Sequence, residues 1–237
     1  GFGKSGGEQK AADAKTETTE SQTESATETT TVPQNEHTNP KNAKEAEALE
    51  ASSENRVYLT FDDGPNPEYT MKLLEGLKKR GVKATFFVLG EEVERYPDIL
   101  KAAYDDGHLI GVHSYQHVNF GQIGDAAALE QVEKTRQAIY DVTGEYTGYI
   151  RPPYGCWKKE LDQELPMIEV LWDIDPLDWA TKDADTVVQR VLQKCPDGSI
   201  ILLHDASESS VCAAFTIIDT LQKQGYEFVT VEELMLE

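Results

Sequence analysis

Two carboxylates, Asp62 and Asp63, stand side by side where an apolar run ends in YLTFDDGPNPE. Like charges at one spot repel and shift each other's pKa. The pair is tolerable if a cation sits between them or if one of them handles protons. A second cluster, VHSYQHVNF, sets His113 and His117 four residues apart, close enough to face one cation from a single turn. Two histidines at that spacing often arise by chance. With a carboxylate from the first cluster, however, they make a two-imidazole, one-carboxylate set with coordination positions left for water and substrate. A metal there lowers the pKa of its water toward neutrality, so the second carboxylate suffices as base.

Three further clusters carry reactive side chains: Arg151 and Tyr154 in IRPPYG, Asp175, Asp178 and Trp179 in WDIDPLDWA, and His204 and Asp205 in ILLHDA. Arg151, if it reaches Asp62, would hold that base ionised and oriented; otherwise it is an ordinary structural ion pair. His204 would face the metal from across the site, placed to protonate a leaving amine. Asp178 could fix its tautomer and raise its pKa. Trp179 and Leu202 offer apolar surface for a methyl group or a sugar face, against the plainer alternative of core packing. His108, in DDGHLIG, is assigned a turn or packing role.

What must position these residues is an alternation of apolar runs and helical patterns. Strand-like runs fall at 57–61, 84–89, 109–112, 149–151, 167–172, 199–203 and 227–231. Between them lie an amphipathic helix in EYTMKLLEGLKKRG and a helix from Pro97 through Asp105, with Pro in the favourable first turn. Another lies within Asp125–Val142, stopped by Gly144. The last two are DADTVVQRVLQKC, with Asp183 as N-cap, and FTIIDTLQKQG. Continuous apolar strands separated by helices indicate a mostly parallel sheet covered by helices. Seven strands suit a small α/β barrel or an open doubly wound sheet. In either, carboxyl ends of parallel strands point the same way. Every reactive cluster lies just past such an end, so residues far apart in sequence share one face.

Composition divides the 237 residues in two. Residues 1–52, as in TETTESQTESATETTTVPQ, have too little apolar surface to offset the entropy of ordering and read as a disordered Thr/Glu-rich tether. Residues 53–237 hold all three Trp and all ten Tyr, enough for one domain with a sizeable core. The net charge is −21, which argues against nucleic acid as partner, since phosphate binding needs clustered Lys and Arg. No stretch approaches the roughly twenty apolar residues of a membrane span. A Thr/Glu/Ser-rich stalk ahead of one domain suits a monomeric protein tethered at the cell surface or outside the cell, its export segment removed. Cys156, Cys195 and Cys212 show no C-x-x-C spacing, so a cysteine zinc site is not expected. Cys156 follows RPPYG on the same face as Cys212, in the loop after the sixth strand, and these two are the expected partners of any disulfide.

Taken together, TFDDGP, HSYQH, RPPYG, DPLDW and LLH resemble, in order and spacing, the five motifs of the polysaccharide deacetylases of the NodB-homology type, carbohydrate esterase family 4. The resemblance covers about residues 56–237. It implies a deformed (β/α) barrel of about seven parallel strands. It also implies a hydrolase that removes acetyl groups from N-acetylated sugar polymers, with one divalent metal ion, zinc or a similar transition metal such as cobalt. Carried over by position, Asp62 is the general base and Asp63, His113 and His117 are the metal ligands. The backbone amide of Tyr154 is the oxyanion donor, Arg151 tethers the base, His204 is the general acid and Asp178 its partner. Trp179 and Leu202 line the acetyl pocket. No motif residue is missing, which argues against a catalytically dead relative. The expected substrate is N-acetylglucosamine in peptidoglycan, with chitin-type oligomers as an alternative polymer. O-acetyl esterase activity on xylan-like glycans and a non-catalytic carbohydrate-binding role are the competing readings. An iron oxygenase shares the two-His, one-carboxylate set but has no use for TFDDGP and DPLDW.

Overall fold

The computed structural model describes residues 55–194 and 196–236. The expected tether at 1–52 and Cys195 lie outside the described residues. The strands are β1 (Arg56–Asp62), β2 (Thr85–Val88), β3 (Leu109–Val112), β4 (Tyr149–Ile150), β5 (Ile168–Glu169), β6 (Ile200–His204) and β7 (Glu227–Phe228). The helices are α1 (Thr70–Arg80), α2 (Gly90–Arg95), α3 (Pro97–Asp105), α4 (Asp125–Thr143), α5 (Ala184–Leu192), α6 (Glu208–Lys223) and α7 (Val231–Met235). All strand pairs are parallel, in the order β5-β4-β3-β2-β1-β6, with β7 paired to the start of β1.

The sheet curls until its two edges meet. Downstream of β5, Ile174 bridges to Ile201; its N–H donates to the Ile200 carbonyl at 3.1 Å, and its carbonyl accepts from Leu202 N–H at 2.9 Å. The run at 167–172 therefore pairs with β4 only at Ile168–Glu169 before it crosses toward β6. β7 is equally short, because Val231, expected at the end of a strand, instead opens α7. α2 was not expected from the sequence: six residues between a strand and Pro97 are too few for a helical period to show. α4 runs to Thr143 and stops at Gly144 (φ 78°), and Asp183 caps α5 by accepting from Asp185 N–H, both as the sequence indicates. α6 begins at Glu208, seven residues ahead of the expected start at Phe215. No helix among the described residues is long and apolar enough to cross a membrane.

Strand alternation separates two cores. Val57, Leu59 and Phe61 of β1 join Ile201 and Leu203 of β6 in a cluster beneath the helices. Tyr58, Phe87 and Ile200 point the other way, into the barrel, where Val170 and Val231 of α7 fill its amino-terminal end. Continuing each inward series by steps of two leads from Tyr58 through Thr60 to Asp62, from Ile200 through Leu202 to His204, from Leu109 to His113, and from Tyr149 to Arg151. The barrel is thus apolar below and polar above.

Among the described residues Cys156 and Cys212 are free and exposed, which corrects the expected pairing. Cys212 is not in a loop but on the first turns of α6, with Sγ 4.0 Å from a Glu208 carboxylate oxygen. The Sγ of Cys156 lies 3.7 Å from the carbonyl of its own neighbour Tyr154.

Candidate active site

β1 ends at Asp62, and the chain then turns sharply: Asp63 has φ 81° and donates its N–H to the Phe87 carbonyl at 3.2 Å. The turn separates the two carboxylates of the opening motif. Asp62, 3 % exposed, keeps the inward direction of β1, and its Oδ1 accepts from Arg151 Nη1 at 2.9 Å. Asp63 is aimed at the histidines, with Oδ1 3.3 Å from His113 Nε2 and 3.4 Å from His117 Nε2.

Each imidazole is oriented from behind or from the side. His113 Nδ1 donates to the Arg151 carbonyl at 2.6 Å, which leaves the Nε2 lone pair facing Asp63. His117 packs edge-on against the Tyr154 ring, centroids 5.0 Å apart. Gln131 of α4 props the loop between them, its Oε1 accepting from Tyr115 and Gln116 N–H at 3.0 Å each.

The donor set fits a cation. Asp63, His113 and His117 present one ligand atom each, all within 4.8 Å of one another. Asp63 Oδ1 is buried yet has no hydrogen-bonding partner among the described residues. An orphaned carboxylate oxygen facing two imidazole lone pairs calls for positive charge. Burial opposes ionisation of Asp63, but His113, then His204 and His117, hold its carboxyl below the usual range.

Arg151 is fully buried and makes four hydrogen bonds. Nε and Nη2 donate to the Val170 and Leu171 carbonyls at 3.1 and 2.9 Å, and Nη1 donates to Thr60 Oγ1 and Asp62 at 2.7 and 2.9 Å. Its guanidinium carbon lies 4.4 Å from the centroid of Phe87 and 5.6 Å from that of Trp172. A planar, permanently charged group with several bonds and aromatic neighbours holds the Asp62 carboxyl in one orientation.

On the other flank, His204 Nδ1 donates to Asp178 Oδ1 at 2.8 Å, and its Nε2 points back toward Asp63 Oδ2, 3.9 Å away. Asp178 Oδ2 accepts from His204 N–H at 2.8 Å and from Ser210 Oγ at 2.7 Å. Burial works against the imidazolium, but the Asp178 bond and charge, with Asp62 and Asp63 behind them, raise the His204 pKa to about 9.

Tyr154 and Trp179 are both 66 % exposed at the rim, whereas Leu202 is 5 % exposed and lies one inward step below His204. Backbone strain gathers here: Asp63, Ser114, His117, Tyr154 and Leu177 all have positive φ without being glycine. The structure thus brings together the carboxylates of strand one, both histidines, Arg151 and the Asp178–His204 pair. Asp175 instead turns its Oδ1 onto the N–H of Leu177. His108 lies apart, its Nδ1 accepting from Ala84 N–H at the start of β2.

Three supporting residues escaped the sequence reading: Thr60, Gln131 and Ser210. Thr60 could have been found by stepping two back from Asp62. Ser210 follows the N-cap Ser207 by three residues, where a serine at a helix start is ordinary and carries no signal. Gln131 left no signal, since glutamine on a helix is ordinary.

The profile of the polysaccharide deacetylase family matches residues 50–169. The peptidoglycan-N-acetylglucosamine deacetylase PgdA of Listeria monocytogenes is 37 % identical over 195 residues, covering 82 % of this chain and 42 % of that protein. The peptidoglycan-N-acetylmuramic acid deacetylase PdaC of Bacillus subtilis is 42 % identical over 178 residues, covering 75 % and 38 %. The chain therefore spans less than half the length of these relatives. A solved structure of peptidoglycan deacetylase PdaC from Bacillus subtilis superposes with a TM-score of 0.75 at 41 % identity, covering 77 % of this chain and 90 % of that one. In fold and in sequence, this chain belongs to the polysaccharide deacetylase family.

Proposed function

We propose that the chain is a metal-dependent N-deacetylase acting on N-acetylglucosamine residues of a cell-wall glycan, peptidoglycan first among them. The carrying observation is the buried, unpartnered Asp63 Oδ1 between the Nε2 atoms of His113 and His117. It is flanked by Asp62, held by Arg151, and by His204, held by Asp178. The relatives named above supply the choice of peptidoglycan and, with it, a location at or outside the cell surface.

Asp63, His113 and His117 would hold a zinc-class divalent ion, which suits two imidazoles and one carboxylate. When bound, the ion supplies a Lewis acid and an acidified water. Asp62, held in place by Arg151, takes the proton from the water that attacks the acetamide carbonyl. The Tyr154 N–H donates to the oxygen that gains charge as the carbon becomes tetrahedral. His204, protonated at Nε2 and held by Asp178, delivers its proton to the departing sugar amine. Trp179 and Leu202 give the acetyl methyl apolar surface.

The test is acetate release measured side by side on peptidoglycan, N-acetylglucosamine oligomers and acetylxylan, each with zinc and with chelator. Zinc-dependent release from the first two substrates supports the reading. Release from acetylxylan alone makes the protein an O-acetyl esterase. Glycan binding by an inactive, metal-free protein makes it a binding module.

A further inference from the structure

Asp205 directly follows His204 and has no part in the steps above. Its side chain is 1 % exposed. Oδ2 accepts from Thr70 Oγ1 at 2.6 Å, and that hydroxyl accepts in turn from Asn66 N–H at 2.7 Å. Oδ1 is buried with no hydrogen-bonding partner among the described residues. The carboxyl is pressed against Gly64: a Cβ there would stand 2.4 Å from Oδ2 and 2.8 Å from Oδ1. Only glycine permits the approach. Gly64 is the neighbour of Asp63, and its carbonyl accepts from Leu89 N–H at 3.1 Å, which ties the turn to the end of β2 as well.

A buried carboxyl with one bare oxygen is unfavourable in itself. Burial lifts the Asp205 pKa to about 6. One side of the Asp205 side chain bears on the turn that presents Asp63. Its own backbone continues the strand that presents His204.

We propose that Asp205 is a positioning residue: wedged between Gly64 and Thr70, it locks the Asp63 turn to the end of β6 and so sets the spacing between the metal-binding carboxylate and His204. That spacing is 3.9 Å from Asp63 Oδ2 to His204 Nε2. The role of His204 in this inference rests on the deacetylase reading; the clamp acts on the metal site directly. Shape and the bond from Thr70 are what matter, so Asn, which keeps both, substitutes for Asp205 and Ala does not.

The experiment compares the full chain with D205N, D205A and T70V. Each protein is loaded with Co2+, whose absorption reports ligand geometry, and assayed for kcat and KM on an N-acetylglucosamine tetramer. D205N keeps the wild-type cobalt spectrum, a kcat within about threefold, and an equal or higher melting temperature. D205A and T70V shift the spectrum and lose about tenfold or more in kcat with KM little changed, the range seen when residues behind metal ligands are removed. A wild-type spectrum and kcat in D205A overturn the proposal. So does a D205N protein as impaired as D205A, since charge rather than position would then be at work. If D205A does not fold, T70V decides in the same way. A wild-type protein that releases no acetate from any glycan defeats the deacetylase reading alone, and the cobalt spectra still judge the clamp.

Discussion

Asp178→Asn isolates what holds the proton on His204. The imidazole is largely shielded from water, its side chain 17 % exposed, and burial alone would favour the neutral ring. Against that burial, the Asp178 bond and charge are the foremost of the effects that bring the pKa to about 9 from an ordinary 6.5. With a cation at Asp63 that carboxylate's pull is offset, so Asp178 dominates in the loaded enzyme. A neutral amide removes that pull and leaves only the Asp62 charge to oppose burial, so the pKa falls from about 9 toward the ordinary 6.5. A difference of that size is about 3 kcal/mol. At pH 7.5 the protonated fraction drops from about 97 % toward about 9 %, at most roughly a tenfold loss of competent enzyme before any change in geometry. The assay is a pH–rate profile for acetate release from an N-acetylglucosamine oligomer at saturating zinc. In the wild type, kcat declines as pH rises through about 9, where the acid loses its proton. In D178N the same decline comes at lower pH, shifted toward 6.5. Coincident alkaline limbs in the two proteins would refute the reasoning, because Asp178 would then have no hold on His204's protonation.

Other substitutions read other joints of the site. Arg151→Met strips the buried Asp62 of its charged partner and should destabilise the protein by about 3–5 kcal/mol, measured by urea unfolding; a loss below 1 kcal/mol would mean the pair is dispensable to the fold. His117→Ala removes one of three converging ligands from a half-exposed position. Bound zinc, measured by elemental analysis after dialysis, should fall well below one per chain while the melting temperature of the metal-free protein barely moves. Ser210→Ala takes one bond from Asp178 and leaves the His204 contacts in place. It should cost about 1 kcal/mol of kcat/KM, far less than D178N, and an equal loss would make Ser210 more than a support.

The sequence disclosed the site better than the elements that carry it. Asp62, Arg151 and His204 were legible because charged groups at the ends of β-branched runs violate the burial expected there, and that violation has few harmless explanations. Thr60 and Ser210 were not, because a threonine in a strand and a serine at a helix start are what propensity alone would place. Their roles appear only when alternation along β1 and the fold of α6 direct each hydroxyl at an ion. β5 ran short of its apolar run because barrel closure bends the chain away from its neighbour after two paired residues, and β7 because Val231 opens α7, tertiary demands that hydrophobicity does not encode. The cysteine pairing misled for a related reason: it assumed a loop where the chain had already begun a helix.

Register is what converts these strands into chemistry. In the β1–β6 pair, Asp62 lies directly across from His204, so the proposed base and acid sit on adjacent strands about 4.8 Å apart along the hydrogen-bonding direction. Both are inward positions. A slip of one residue in either strand would send that side chain beneath the helices and bring Phe61 or Leu203 into the site. Asp63, one residue further, would face outward if β1 continued; its left-handed turn redirects the ligand to the histidines while leaving Asp62 in line with His204. Adjacency of the two aspartates, which looked like electrostatic conflict, is therefore a division of labour made by one backbone angle: the strand aims the first carboxylate and the turn aims the second. If so, a change that relaxes φ at that turn, such as a residue inserted between Asp63 and Gly64, should abolish cobalt binding while the Arg151–Asp62 pair, and with it the fold measured by circular dichroism, survives.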